Sequence, residues 1–321
     1  MRVVYWARMQ LAKRQVVDAL QAVPGADLTV VETLPDLLGA LKGAEALILY
    51  DAPPEQARQV VEALSAPGNA VRWMHFLTAG REGFDAVGLP KGVAVTYPAG
   101  AVAPTVAEHA MTLLLALTRR VPAMLDEQAK RNWSRLDVSA KATSVEGKVM
   151  TIVGYGWIGR EVALRARAFG IRVIAVSRTR KSDDLLDESY TLSELDQALG
   201  RADIVMLTIA LAPETRHLFD RRRLDACKPG VMLINVARGG LVDQQALAAA
   251  LTSGQVGSAA LDAVDPEPLP ASDPLWAAPN LIISPHFAGG GSVASQLRLA
   301  ESAAANLRRL INGEPLQHLV S

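Results

Sequence analysis

Val149–Arg180 reads VMTIVGYGWIGREVALRARAFGIRVIAVSRTR. Val149 to Val153 is a short apolar, β-branched run, the composition of a parallel strand buried on both faces. Gly154, Gly156 and Gly159 follow at G-x-G-x-x-G spacing. From Trp157 to Phe169 the apolar positions Ile158, Val162, Leu164, Ala166 and Phe169 fall at helical period, with Arg160, Glu161, Arg165 and Arg167 between them. Gly170 stops that helix, and Ile171 to Val176 is a second apolar strand. Within a strand–turn–helix–strand unit of about 30 residues this spacing is a dinucleotide-binding fingerprint. The glycines allow a tight turn, close backbone approach to a pyrophosphate, and close helix–strand packing. The helix N-terminus offers free N–H groups and a positive dipole end to the phosphates. Gly154, Tyr155, Gly156, Trp157, Ile158 and Gly159 are therefore expected cofactor contacts; a tight βα turn without a ligand is the alternative.

The chain of 321 residues is long enough for two domains and a large core. Half of it is hydrophobic and its formal net charge is zero, so no basic face points to nucleic acid and no polybasic segment to a membrane. MRVVYWARMQLAKR has too short an apolar run for a signal peptide. Ala110 to Leu117, the longest apolar helical stretch, is too short to span a bilayer. A single cysteine, Cys227, excludes an internal disulfide and a cysteine-based metal cluster, and its apolar helical context predicts a buried structural thiol. These features describe an α/β protein of the cytoplasm.

Residues 1 to about 100 alternate short strands (Arg2–Trp6, Leu28–Val31, Ala46–Tyr50, Val71–Leu77, Val93–Tyr97) with helices (Pro35–Leu41, Pro53–Leu64). Such alternation predicts a parallel sheet covered by helices. Ligands of open α/β sheets sit beyond strand carboxyl ends, which makes the loop Thr78–Gly83 either a substrate contact or a plain turn. Thr105 to Arg120 is a long helix. Residues 121 to 147 are polar and irregular, either an arm over a neighbouring subunit or a surface connection. Thr179 to Glu188 reads as a charged loop, and Ser193 as the N-cap of a short helix. Strands at Ile204–Ile209, Val231–Asn235, Ser258–Leu261 and Leu281–Ser284 complete a six-stranded doubly wound sheet. Ser292 to Leu310 is a final amphipathic helix.

Arg238, Glu267 and His286 stand at or after the ends of strands in the second half, where strand ends converge on a dinucleotide crevice. A guanidinium forks onto a substrate carboxylate. An imidazole gives or takes a proton near neutral pH, and a carboxylate beside it fixes the ring. Reduction of a 2-keto acid needs these parts and a hydride source. Taken singly, each has a bland reading as a surface or loop residue.

Across nearly its whole length the sequence resembles the D-isomer-specific 2-hydroxyacid dehydrogenase family. The resemblance rests on VAPTVAEHAMTLLLAL, VGYGWIG, LAPETRHLF, LINVARGGLVDQQALAAAL, ALDAVDPEPLP and PLWAAPNLIISPHFAG, in the family's order and spacing. It implies that His286 is the acid/base, Glu267 its partner, and Arg238 the binder of substrate carboxylate and carbonyl. Backbone N–H groups around Ala79 and Gly80 are implied to hold the substrate carboxylate. Thr105, Asp262 and the backbone of Val236, Ala237 and Arg238 are implied to face the cofactor. Glu108 and His109 read as helix-packing or polar-network residues, and His75, His217 and His318 as structural or exposed. The implied fold has two doubly wound parallel-sheet domains: a Rossmann nucleotide-binding domain (102–287) inserted into a flavodoxin-like substrate domain (1–101 and 288–321). The implied assembly is a homodimer built on the nucleotide domain.

NAD sites usually carry an acid at the end of the second strand to hold the ribose 2′-OH. Here that strand runs into Ser177-Arg178-Thr179-Arg180-Lys181, with Arg178 nineteen positions after Gly159 and no acid before Asp183. Ser177, Arg178 and Thr179, with Arg180 or Lys181 as further donors, suit a 2′-phosphate, so NADP(H) is expected over NAD(H). The SRTRK loop resembles that of NADPH-dependent glyoxylate/hydroxypyruvate reductases. Small 2-keto acids are the expected substrates, with bulkier 2-keto acids as the alternative and a dinucleotide-sensing corepressor as the alternative of another class. Phe76, Leu77 and Trp276 are candidates to shape the substrate pocket.

Overall fold

Twelve strands form two parallel sheets in a computed structural model that describes residues 1–78 and 80–320. The first sheet contains β1 (Arg2–Trp6), β2 (Asp27–Val31), β3 (Ala46–Leu49), β4 (Trp73–Phe76) and β5 (Ala94–Thr96), in the order β2-β1-β3-β4-β5. This is the flavodoxin-like order, which reverses direction between β1 and β3. Side chains alternate faces along a strand. Val3 and Tyr5 of β1 accordingly join a core with Val16, Leu20, Leu299, Ala303 and Leu307, while Val4 and Trp6 join another with Leu37, Leu47, Val60 and Phe76. Burial on both faces is why β1 and β3 read as continuous apolar runs.

The helix Val293–Asn312 returns from the far end of the chain to pack on the helix Lys13–Gln21. Burying Leu307 in that contact stabilises by roughly 1.5–3 kcal/mol. Beyond it the backbone pairs with β5: the Val320 N–H donates to Val95 O (2.8 Å) and the Tyr97 N–H to His318 O (3.2 Å). His75 lies buried in β4, its Nδ1 2.8 Å from Thr96 Oγ1, and burial pushes its imidazole down to about 3. Phe76 and Leu77, expected near a substrate pocket, are instead fully inside these cores because both faces of the sheet are covered.

The second sheet contains β6 (Val149–Val153), β7 (Arg172–Ser177), β8 (Glu188–Thr191), β9 (Ile204–Leu207), β10 (Val231–Asn235), β11 (Val256–Leu261) and β12 (Leu281–Ile283). Its order is β12-β11-β10-β9-β6-β7-β8, seven strands rather than the expected six. The additional strand, β8, occupies the stretch read as a loop and its continuation. Its residues Glu188, Ser189, Tyr190 and Thr191 are all half-buried, as an edge strand allows, so it lacks an apolar run. The short helix after it is capped from Thr191, whose N–H donates to the Glu194 carboxylate (2.9 Å), and not from Ser193. Residues 121–147 hold two short helices, Val121–Ala129 and Arg135–Ala140, neither with a buried residue. Without an inward face they carry no apolar period for sequence reading to find.

The chain divides into two compact units, Met1–Val102 with Gly290–Ser321, and Ala103–Gly289. Cys227 is buried in the second unit, and burial pushes its thiol up to about 12. Among the described residues no helix is long and apolar enough to cross a membrane.

Candidate active site

The glycine turn leaves β6 at its carboxyl end. Gly154 has φ +102°, and a Cβ there would lie 2.4 Å from the backbone nitrogen of Ile209. A Cβ on Gly159 would lie 2.4 Å from the Gly154 carbonyl oxygen. Thr208 Oγ1 donates to that same oxygen (2.6 Å), tying the turn to the end of β9. Gly156 differs: a Cβ there meets no protein atom within 4 Å. It caps the helix Trp157–Ala168, whose first N–H groups have no intrahelical partner. The outer two glycines are thus required by the protein's own packing, whereas Gly156 borders open space at a positive dipole end. That arrangement fits a pyrophosphate. Tyr155 lies inward, and burial together with the Asp183 charge raises its phenol well above the usual range. Trp157 is exposed and Ile158 half-buried at the helix start.

At the end of β7, Ser177 Oγ donates to Thr179 O (2.7 Å) and shapes the turn. The Arg178 side chain is exposed and makes no hydrogen bond or ion pair among the described residues. Arg180 is differently placed. Its guanidinium donates to Glu194 (2.5 Å) and to Ser189 O (2.6 Å) and lies over the Tyr190 ring. Arg180 is committed to β8 and its neighbourhood, which leaves Arg178 as the open guanidinium of the turn. Asp183, the first acid after the strand, is also committed. The Leu185 N–H, and then Arg160 at 2.8 Å, hold its carboxyl below the usual range.

Arg238, Glu267 and His286 follow β10, β11 and β12, three consecutive neighbours in the sheet. Asn235 locks the first turn: its Oδ1 accepts from the Ala237 N–H (3.0 Å) and its Nδ2 donates to Arg238 O (2.8 Å). Val236 and Ala237 are buried there. Gly239 then packs so closely on Val264 that a Cβ would sit 2.0 Å from the Val264 carbonyl carbon. Only glycine brings the arginine turn this near the loop that carries Glu267. Glu267 Oε1 accepts from the Val264 N–H (3.1 Å), and Oε2 lies 2.7 Å from His286 Nδ1. The pair is accessible, His286 at 43% and Glu267 at 38% of side-chain surface. With Nδ1 engaged, Nε2 has no partner among the described residues and is the nitrogen available for proton transfer.

Asp262 has a buried supporting place, only 2% exposed. Its Oδ1 accepts from Ser284 Oγ (2.7 Å) and the Phe287 N–H (3.2 Å), and its Oδ2 from the Ala288 N–H (3.0 Å). His109 Nε2 approaches both Ser284 Oγ (3.1 Å) and Asp262 Oδ1 (3.3 Å). The carboxylate expected to face the cofactor therefore anchors the loop that carries His286, with His109 beside it.

Sequence reading missed the brace on the glutamate loop. Gln244 donates to Asp265 O and accepts from the Asp265 N–H, both at 2.8 Å, while Arg216 pairs with the Asp265 carboxylate at 2.9 Å. The signal was present, since Arg216 and Gln244 both fall in family-like segments. Thr105 sits in the first turn of the helix Ala103–Thr118, half-buried. Of the expected substrate contacts, Ala79 lies outside the described residues and Gly80 O accepts from Thr78 Oγ1 (2.6 Å). Trp276 is exposed, its Nε1 donating to Pro270 O (2.9 Å).

Comparison with known proteins places this geometry in context. The sequence model described as "D-isomer specific 2-hydroxyacid dehydrogenase, NAD binding domain" matches residues 111–288. The glyoxylate reductase of Thermofilum pendens is 34% identical over 248 residues, 74% of this chain and 72% of the relative. The D-3-phosphoglycerate dehydrogenase of Mycobacterium bovis is 37% identical over 224 residues, 70% of this chain; the match spans only 42% of that relative's length. A D-isomer-specific 2-hydroxyacid dehydrogenase from Xanthobacter autotrophicus, solved with NADPH and MES, superposes with a TM-score of 0.82 at 26% identity, covering 100% of this chain and 98% of its own.

The three glycines separate packing from ligand contact. Gly154→Ala and Gly159→Ala are expected to lower unfolding free energy in urea by more than about 1 kcal/mol. Gly156→Ala should cost less than about 0.5 kcal/mol while weakening dinucleotide binding. Equal destabilisation by all three would refute this division.

Proposed function

The chain belongs to the D-isomer-specific 2-hydroxyacid dehydrogenase family, and we propose that it reduces a small 2-keto acid, glyoxylate or hydroxypyruvate, to the D-2-hydroxy acid with NADPH. The observation that carries the reaction is the 2.7 Å contact between His286 Nδ1 and Glu267 Oε2, which leaves Nε2 outward. NADPH supplies the hydride to the carbonyl carbon. His286 Nε2 gives its proton to the carbonyl oxygen, and Glu267 holds the ring. Arg238 takes the substrate carboxylate. Catalysis by a positioned proton donor is typically worth ~10²–10⁴-fold. The glyoxylate reductase relative supports the small substrate, and bulkier 2-keto acids are the competing class to assay.

The unit containing β6 to β12 is assigned the dinucleotide. The residues fit the cofactor: Gly156 borders open space at the positive end of the helix Trp157–Ala168, and Arg178 makes no hydrogen bond or ion pair among the described residues. No acid at the end of β7 opposes a 2′-phosphate, because Asp183 is held by Leu185 and Arg160. Arg178, with Ser177 and Thr179, is the proposed 2′-phosphate contact. A homodimer is proposed through the exposed helices after Thr118, where Trp133 is 93% and Leu136 78% exposed. Such surface is unusual on a monomer.

NADPH should be preferred to NADH by kcat/KM in a panel of glyoxylate, hydroxypyruvate and longer 2-keto acids. Arg178→Asp should reverse the preference, with a loss of about 10–100-fold for NADPH, the value of one hydrogen bond to a charged group. A wild-type preference for NADH would sink the cofactor assignment. His286→Ala should abolish turnover while NADPH still binds by calorimetry; retained turnover would remove His286 from its role. Light scattering should give twice the chain mass, and Trp133→Asp should shift it toward the monomer; a monomeric wild type would contradict the dimer.

A further inference from the structure

The carboxyl edge of the second sheet carries the glycine turn and the Arg238–Glu267–His286 cluster. Its opposite edge, where β9, β10 and β11 begin, holds a separate cavity of about 310 Å³. The two edges lie roughly 16 Å apart, the length of five-residue β10 at about 3.3 Å per residue. Four cationic side chains line the cavity, Arg120, Lys141, Lys148 and Lys228, against one carboxylate, Asp203.

That carboxylate is already occupied. Asp203 Oδ1 accepts from Lys228 Nζ at 3.0 Å and Oδ2 from the Val149 N–H at 2.9 Å. Cancelling this ion pair leaves three cations, Arg120, Lys141 and Lys148, out of the four that face the cavity. Arg120 gives one N–H to the neutral Asn280 Oδ1 at 3.0 Å and keeps its other donors. The Lys141 and Lys148 side chains make no hydrogen bond or ion pair among the described residues. Ser258, only 9% exposed, also lines the cavity, and its hydroxyl has no hydrogen-bond partner among the described residues. Like charges gathered without a counter-charge repel and oppose the compact state.

We propose that this cavity binds a small polyanion carrying a phosphate group. Arg120 offers a planar fork, Lys141 and Lys148 offer point charges, and Ser258 offers a neutral donor, the set that phosphate oxygens accept. Charge selects the class. A 2-keto acid brings one negative charge to a site with three uncompensated cations, whereas a phosphomonoester or pyrophosphate brings two or more. The site is independent of the cofactor and substrate proposed above, because none of its residues belongs to that machinery.

Calorimetric titration of the full chain with inorganic pyrophosphate tests the site, with Gly156→Ala, at the turn assigned to the dinucleotide's pyrophosphate, reporting any binding there. One saturable site per chain is expected to persist in Gly156→Ala. It should weaken about tenfold or more in Lys141→Gln/Lys148→Gln, as loss of charge-assisted contacts predicts, and weaken further as salt is raised. Lys148→Gln alone, checked for folding by its thermal midpoint, gives an intermediate loss. Absence of saturable binding would overturn the proposal. So would affinity within twofold of wild type in the double variant, or complete loss of binding in Gly156→Ala.

Discussion

Parallel pairing obliges the chain to cross a face of the sheet before each new strand begins, so every strand leaves at the same edge. In the second unit this constraint collects the loops after β6, β7, β10, β11 and β12 along one rim. The glycine turn, the Arg178 turn and Arg238, Glu267 and His286 are far apart in sequence, and the sheet makes them neighbours by strand. The same constraint leaves the other rim to the starts of strands, where a different set of charges gathers around Asp203.

Two carboxylates near the site are treated in opposite ways, and the difference defines their work. Asp262 is buried and filled with donors, which compensates the cost of taking a charge out of water. It fixes the backbone on which His286 rides. Glu267 is open to solvent, uses one oxygen on the backbone of its own loop and presents the other to the imidazole. One carboxylate fixes a loop in place and the other keeps a polar pair accessible.

The parts legible in the sequence were those whose physics is local or periodic. The outer glycines of the turn, Gly154 and Gly159, are forced by contacts under 2.5 Å that any side chain would violate, so they announce themselves in letters. Strands buried on both faces announce themselves as apolar runs. β8 did not, because a half-buried edge strand places no demand for hydrophobicity on Glu188, Ser189 or Tyr190. Which arginine of Ser177–Lys181 stands open was equally hidden. It depends on Glu194 and Ser189 reaching Arg180 from β8 and the turn beyond it, an interaction that letters alone do not display. The burial of Phe76 and Leu77 likewise follows from the coverage of both faces of the first sheet.

The return of Val293–Asn312 onto Lys13–Gln21, with residues 318–320 closing on β5, sets an order in time. During synthesis the first five strands emerge early, yet one face of their sheet waits for a helix encoded near residue 300. The second unit is continuous from Ala103 to Gly289 and has all its residues before that helix exists. The unit begun first is therefore completed last. Until then Val3, Tyr5, Val16 and Leu20 form an unroofed apolar surface, the kind of exposure that makes nascent chains aggregate and engages chaperones. A chain cut short before residue 293 would carry a finished second unit on an unfinished first one.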